Sequence, residues 1–445
     1  MVTGNLDLME IVLWILGVLV LAVGIAISIG LHELGHFYPA RKFGVFVGSF
    51  MIGFGPTLWS RKFGETEFGF KAIPLGGYVS LSGMYPTTAN SDKPGFRMFR
   101  KLVQDARDAS AETITDESRA FYRLPVFKRI IVMLGGPFMN LVIATVLFLF
   151  LFTGIGIVGA TTTIGSISEC VLPVTSTRTA CESGDPKAPA AEAGLKPGDR
   201  IVSIGGEPVT TWESGTSIIR ESAGREIAIV VDRGGQEVSL AVTPMATVRY
   251  ALDSGGNLVL DSDGNPETTT VGFIGIGPAV ERQQQSPVVA LDAMGNNIVQ
   301  VGALILDLPN RMIQVWNAAF GAETRDPNGP VSVVGVGRIA GDIAAAEQLQ
   351  FVDRFAALVG ILASLNIALF VFNLVPLLPL DGGHIAVALW QGIRNSVAKL
   401  RGKPAPGPVD SARLVPFTIV ITVVLMAMSA LLIYADIVKP ITLGL

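Results

Sequence analysis

Two histidines and a glutamate lie at one end of a long apolar segment, with the spacing of a metal-binding pair. The sequence His32-Glu33-Leu34-Gly35-His36 separates the two imidazoles by four residues, which places both on one face of a helix. A hydrolytic zinc site needs three protein ligands and a water. Glu33 lies beside the pair and is suited to take a proton from that water. The segment therefore predicts zinc-dependent hydrolysis, with His32 and His36 as ligands and Glu33 as the base.

The third ligand must come from another part of the chain. The candidates are few, because the chain has only three histidines and two of them are His32 and His36. Asp381 and His384 both follow another apolar segment, in the sequence Leu380-Asp381-Gly382-Gly383-His384. Ionisable groups at membrane depth are costly and are usually functional. Asp381 has no basic residue beside it, so we predict it as the third ligand, with His384 as its rival.

The composition indicates a membrane protein. The chain of 445 residues is 50% hydrophobic and 16% charged, against about 25% charged in soluble proteins. Four segments are long enough to cross a hydrocarbon core of roughly 30 Å; they cover residues 11–36, 130–158, 355–380 and 414–437. The net charge of -4 and the lack of a broad basic patch argue against binding to nucleic acid.

Basic residues predict the orientation of these spans. They cluster at both ends of the segment between the first two spans, and again between residues 394 and 403, which predicts that both segments are cytoplasmic. Both termini and the long segment 159–350 then lie outside. His32, His36 and Asp381 fall at the same, cytoplasmic end of their spans.

The outer segment contains a predicted α+β domain, because short β-rich runs end at turn glycines around residues 205 and 234. Apolar residues at helical spacing over 286–320 predict a helix that lies in the membrane interface or packs on this domain. Residues 86–120 are polar and predict a mobile cytoplasmic loop. Cys170 and Cys181 form either one disulfide or two free thiols.

Asn373 precedes two prolines, Pro376 and Pro379, which interrupt the third span and free backbone polar groups. Such backbone survives at membrane depth only where it is buried or lines a cavity. The Asn373 amide has two candidate roles, which are holding a substrate backbone and satisfying the freed carbonyls.

The combination of HELGH in the first span with Asn373, Pro376 and LDGG in the third resembles the site-2 protease family (peptidase M50). The resemblance extends along most of the chain and favours the bacterial regulator-of-sigma-E protease subgroup. Other similar segments are Gly53-Phe54-Gly55 (a membrane-associated β-loop), Pro74-Leu75-Gly76-Gly77-Tyr78, Gly135-Gly136-Pro137-Phe138-Met139-Asn140 (the GPxxN motif), Ala193 to Asp199 (a PDZ domain) and Gly329 to Ser332. A single PDZ domain resembles the actinobacterial members.

This resemblance implies a Zn²⁺ ion bound by His32, His36 and Asp381, with Glu33 as base. It implies that Asn373 and the loop Gly53-Phe54-Gly55 bind substrate. Substrates would be single-span membrane proteins such as anti-sigma factors, cut within the lipid bilayer of the inner (plasma) membrane during regulated intramembrane proteolysis. Two other hypotheses are a non-catalytic membrane scaffold and a metal or ion transporter.

The predicted fold is a polytopic α-helical membrane protein with four transmembrane helices, a membrane-associated β-loop and one inserted extracytoplasmic PDZ-like α+β domain. Its predicted boundaries are 1–84 (first helix and β-loop), 85–125 (cytoplasmic polar loop), 126–159 (second helix), 160–285 (PDZ-like domain), 286–350 (amphipathic membrane-surface region), 351–384 (third helix with LDGG), 385–411 (cytoplasmic loop) and 412–445 (fourth helix).

Overall fold

The computed structural model describes residues 8–86, 97–114, 116–172, 178, 180–251, 259, 266–321 and 324–441. They form two compact units, one from the chain up to Ile155 and from Gln285 onward, the other from Gly156 to Gln284. The helices are α1 (Leu8–Lys42), α2 (Arg97–Glu112), α3 (Val126–Leu149), α4 (Pro189–Glu192), α5 (Trp212–Glu221), α6 (Pro287–Leu306), α7 (Leu308–Phe320), α8 (Val333–Ala345), α9 (Phe351–Asn373), α10 (Asp381–Leu400) and α11 (Val415–Val438). The strands are β1 (Val47–Phe63), β2 (Thr66–Leu81), β3 (Ile157–Ile167), β4 (Arg200–Ile204), β5 (Glu207–Pro208), β6 (Ile227–Arg233), β7 (Gln236–Val242), β8 (Met245–Tyr250), β9 (Thr268–Phe273) and β10 (Ile276–Gln283).

Among the described residues, five helices are long and apolar enough to cross a membrane, where the sequence predicted four. They are α1, α3 with the π-helical turn Phe150–Ile155, α6, α9, and α11 with the 3₁₀ turn Ser411–Leu414. The additional helix, α6, has a mean hydropathy of 1.4, the lowest of the five. Its Met294 and Ile298 pack on a core of α3 and α9 that includes Ala144 and Ile367. This packing, which neither sequence-based alternative anticipated, places α6 against the membrane helices.

Two segments predicted as cytoplasmic loops contain helices. Within 85–125, α2 is tied to the chain before α11 by an ion pair between Arg107 and Asp410. Most of the segment 385–411 belongs to α10, which begins at Asp381. Helix α9, which corresponds to the third predicted span, ends at Asn373 because Pro376 and Pro379 lack the N–H groups that a continuing helix needs.

The two strands that follow α1 form a bent hairpin. Met51 in β1 pairs with both Gly69 and Tyr78 of β2, so the middle of β1 has a neighbour on each side. The backbone at Gly53 has a φ of 94°, and a Cβ there would lie 2.7 Å from the Ile73 carbonyl oxygen. Glycine is therefore required at this bend.

The second unit is a small α+β structure with its own core. Its main sheet has the strand order β10-β3-β4-β6-β7, with β5 paired to β4, while β8 and β9 pair separately. The largest buried side chains of its core include Ile204 and Ile229, each 0% exposed. A disulfide joins Cys170 to Cys181, which settles the alternative that the sequence left open.

A buried ion pair links β4 to β6 within this unit. Asp199 is 1% exposed and accepts hydrogen bonds from Arg233 Nε (2.7 Å) and Nη2 (2.8 Å) and from the Lys196 backbone N–H (2.8 Å). The Arg233 guanidinium holds the pKa of Asp199 below its ordinary value. A carboxylate with a depressed pKa stabilises the fold above its unfolded pKa of about 3.9, and this contribution fades as pH falls through the lower folded pKa.

We expect Asp199→Asn to lower the free energy of unfolding of the second unit by about 1.5–3 kcal/mol at neutral pH, because charge-assisted hydrogen bonds are lost. Hydrogen exchange of β4 and β6 in the full-length protein, corrected for intrinsic rates, measures the change. The difference from wild type should shrink at acidic pH. The matched control is Asp232→Asn, whose pair with Arg200 is more exposed and should contribute at most about 1 kcal/mol. Equal losses of protection in the two variants would contradict the assignment.

Candidate metal centre

The structure brings the three predicted ligands around one point. His32 Nε2 and His36 Nε2 lie 3.2 Å apart, and each lies 3.4 Å from Asp381 Oδ2. Ligands at roughly 2.0–2.1 Å in a tetrahedral zinc site are separated by about 3.3 Å. Asp381 Oδ2 is also buried and makes no hydrogen bond. Three donor atoms at this spacing, one of them without a hydrogen bond, fit a zinc ion. Among the described residues, His384 is not part of this group.

The contacts of His36 fix which nitrogen faces the centre. Its Nδ1 lies 2.8 Å from the backbone carbonyl oxygen of Val132, which only accepts hydrogen bonds. Nδ1 therefore donates, and Nε2 keeps its lone pair. The lone pair of His36 Nε2 faces His32 Nε2 and Asp381 Oδ2. Such a grouping of electron-rich atoms is unfavourable without a cation between them. Neutral imidazole nitrogens and a carboxylate oxygen are the donors that zinc takes.

Asn140 holds the other imidazole from the same helix, α3. Its side chain is fully buried, Nδ2 lies 3.0 Å from His32 Nδ1, and Oδ1 has no partner. If the Asn140 amide is rotated by 180°, its Oδ1 faces His32 Nδ1 and accepts a hydrogen bond from the Nδ1–H group. The lone pair of His32 Nε2 is then free for the metal. Such outer partners orient metal-binding histidines. Asn140 ends the GPxxN motif, but no local sequence pattern indicates its contact with His32.

Glycines let α3 approach α1 closely enough for these contacts. A Cβ at Gly35 would lie 2.1 Å from the Gly135 carbonyl oxygen, and one at Gly135 would lie 1.9 Å from the Gly35 carbonyl oxygen. A Cβ at Gly136 would lie 2.2 Å from His36 Nε2 and 2.7 Å from His32 Nε2. The two backbones therefore touch, and Gly136 leaves the space that the imidazoles occupy.

Two further glycines position Asp381. The side chain of Asp381 belongs to the first residue of α10, where the helix dipole favours a negative charge. A Cβ at Gly382 would lie 2.3 Å from the Val375 carbonyl oxygen, and one at Gly383 would lie 2.5 Å from the Leu378 backbone nitrogen. The LDGG sequence thus allows the start of α10 to pack directly on the loop that follows α9.

Glu33 is 8% exposed and interacts electrostatically with the three ligands. Strand β2 passes beside it, because a Cβ at Gly77 would lie 3.0 Å from Glu33 Cγ. The segment around Gly77 resembles one in the site-2 protease family, but nothing in the sequence indicates that it lies next to Glu33. This contact puts a strand within reach of the predicted catalytic base.

The predicted substrate-binding residues lie on two elements. Asn373 is the last residue of α9 and is half-buried. Gly53, Phe54 and Gly55 lie in β1, where Phe54 is exposed and stacks on Tyr78 with ring centroids 6.4 Å apart. Their contact with a substrate stays a prediction.

Comparison with known proteins is consistent with this site. Residues 20–410 match the model of the family described as Peptidase family M50. The chain is 36% identical to the zinc metalloprotease Rip1 of Mycobacterium tuberculosis, over 97% of this chain and 99% of the relative. It is 34% identical to Rip1 of Mycolicibacterium smegmatis, over 96% of this chain and 98% of the relative. A putative zinc metalloprotease of Brucella suis is 30% identical over 84% of this chain and 85% of its own length.

We expect Gly136→Ala to lower the zinc content of the purified protein severalfold, because the added methyl group would overlap the imidazoles. Elemental analysis per mole of protein measures this. The control is Gly302→Ala in α6, where a Cβ would meet nothing within 4 Å and zinc content should stay at the wild-type level. Full zinc occupancy in Gly136→Ala would show that α3 does not shape the site.

Proposed function

This chain belongs to peptidase family M50, the site-2 proteases, and is a zinc metalloprotease; we propose that it cuts single-span membrane proteins within the bilayer, anti-sigma factors among them. The observation that carries the proposal is the position of the metal group. His32 and His36 lie on the apolar helix α1, and Asp381 follows the apolar helix α9. Family membership favours this function over the scaffold and transporter hypotheses.

We assign the roles at the site as follows. His32 Nε2, His36 Nε2 and Asp381 Oδ2 would hold the zinc ion, which when bound would supply a Lewis acid and lower the pKa of the attacking water toward roughly 7. Glu33 is the general base that takes the proton from the attacking water and passes it to the leaving amine. Val132 and Asn140 hold the imidazoles in the orientation that ligation needs.

The proposed substrate-binding element is the strand segment around Gly77. It pairs with β1 on one side, through Ile52 and Gly77, Met51 and Tyr78, and Phe50 and Val79. On its other side it has no paired strand among the residues that the structure describes. A helical peptide bond is shielded by its own hydrogen bonds, so an unwound substrate would add here as a strand beside Glu33. Asn373 and the loop Gly53-Phe54-Gly55 would complete the substrate contacts.

Four complete crossings are supported by where α6 and α7 begin and end. The Gln285 N–H donates to the Phe152 carbonyl, so α6 starts beside the end of α3. After α7, Arg325 pairs with Asp436 near the end of α11 (2.8 Å). In the proposed topology α3 and α11 end at the same membrane face, so both ends of the α6–α7 pair would lie there. We propose that this pair enters and leaves the membrane at that face without crossing it.

The disulfide supports the orientation. Cys170 and Cys181 lie in the unit inserted between α3 and α6, and disulfides persist in oxidising compartments. We propose that this unit is a PDZ-like domain outside the cytoplasm, together with both termini, and that the metal centre lies toward the cytoplasmic face. Its proposed role is to exclude substrates whose outer domains have not been removed.

Thiol labelling in intact cells tests this orientation, because the chain has two cysteines. We expect a membrane-impermeant maleimide to label Cys170 and Cys181 only after treatment with an impermeant reductant. The control carries Lys403→Cys in a background with both native cysteines changed to serine, and should be labelled only after the membrane is opened. Labelling of the native pair only after the membrane is opened would reverse the orientation, whereas labelling in intact cells without reduction would contradict the disulfide.

We expect Glu33→Gln to slow cleavage of a single-span substrate in proteoliposomes by about 10²-fold or more, because general base catalysis is lost. Zinc content should remain near wild type, since no ligand changes. Asp381→Asn is the comparison, and it should lose zinc and activity together. Cleavage by Glu33→Gln at the wild-type rate would remove Glu33 from the mechanism.

A further inference from the structure

Arg129 is a buried cation at the start of α3, away from the metal centre. It lies in the first turn of the helix and is 8% exposed, and its Nε is buried without a hydrogen-bond partner. Within the described part of the chain it makes no ion pair. A buried charge without compensation is strongly unfavourable, so this guanidinium calls for a negatively charged partner.

A cavity of about 260 Å³ opens beside Arg129. Its polar lining comes from Tyr122, from two arginines, Arg123 and Arg129, and from two amides, Gln391 and Asn395, and no lining residue is acidic. Gln391 accepts a hydrogen bond from the Val409 N–H and donates to Asn395 Oδ1. These bonds orient the Asn395 amide so that its nitrogen remains available as a donor.

The start of α3 adds further donors to the same cavity. Pro125 is the N-cap and supplies no side-chain hydrogen bond, while Val126 and Pro125 both line the cavity. The first N–H groups of an uncapped helix and its positive dipole end favour anions. Guanidinium groups and helix N-termini together are a common donor set for phosphate.

Nearby carboxylates are committed to other partners. Glu117 accepts hydrogen bonds from Tyr122 (2.6 Å) and Arg123 (2.7 Å). Asp410 pairs with Arg107 and with Arg413. Glu117 offsets the charge of Arg123, but neither carboxylate pairs with Arg129, so Arg129 leaves the cavity with a positive charge.

We propose that this cavity binds a phosphate group, carried by an anionic phospholipid or free in solution. Its place at the end of an apolar, membrane-spanning helix favours the lipid, because basic pockets at such positions bind anionic headgroups. Arg129 lies one turn from Val132, whose carbonyl holds His36. A bound phosphate therefore steadies the end of the helix that positions the imidazoles.

The test uses the full-length protein in nanodiscs of phosphatidylcholine, with a rising fraction of phosphatidylglycerol. Thermal unfolding and native mass spectrometry report stabilisation and the number of bound lipids. We expect wild type to gain stability and retain phosphatidylglycerol. Arg129→Gln should bind it at least about tenfold more weakly, since charge-assisted hydrogen bonds are lost. In phosphatidylcholine alone, Arg129→Gln should be at least as stable as wild type, because the uncompensated charge is gone.

Lys128→Gln is the matched control, because it removes the same charge at the same membrane face and Lys128 does not line the cavity. It should respond to phosphatidylglycerol like wild type. If Arg129→Gln fails to fold, Arg129→Lys serves in its place, because it retains the charge and loses the planar guanidinium group. It should bind the lipid with reduced affinity.

A second arm adds inorganic phosphate to phosphatidylcholine nanodiscs, against chloride at equal ionic strength. Stabilisation by inorganic phosphate that Arg129→Gln abolishes identifies free phosphate as the ligand. A response to phosphatidylglycerol alone identifies the lipid. Equal responses of Arg129→Gln and Lys128→Gln, or no response of wild type in either arm, would overturn the proposal, because surface charge or its absence would then account for the data.

Discussion

The direct contact between the backbones of α1 and α3 is the constraint on which the metal centre depends. Gly35 and Gly135 allow each helix to reach the other's carbonyl groups. Between membrane helices, such close packing supplies the attraction that the hydrophobic effect provides in water. At any wider separation, the Val132 carbonyl and the Asn140 amide would not reach the imidazoles. The orientation of the two imidazoles thus depends on small residues at a helix crossing.

Helix α3 makes different contacts along its length. Its first turn carries Arg129, its next turns hold His36 and His32, and its far end packs on α6 and α9. A single helix thus contacts both imidazoles and two other apolar helices. This arrangement makes α3, which contributes no ligand, as important to the site as α1.

The spacing of His32 and His36, and the isolation of Asp381 in an apolar context, were enough to predict which three side chains the structure brings together. The start of a helix at Asp381 was missed because the prolines and glycines before and after it hide its periodicity. The helix α2 was missed because its sequence is polar, and its buried Arg107 pairs with Asp410, which is distant in sequence. Contacts such as Gly77 with Glu33 join separate elements, and no local pattern encodes them.

The division of the ligands between α1 and α10 also bears on how the protein is made. Most of the chain is translated after the two histidines have left the ribosome and before Asp381 is synthesised. A nascent or truncated chain holding only α1 has an incomplete donor set. An unfinished polypeptide therefore lacks one of the three donor side chains until the start of α10 has been made.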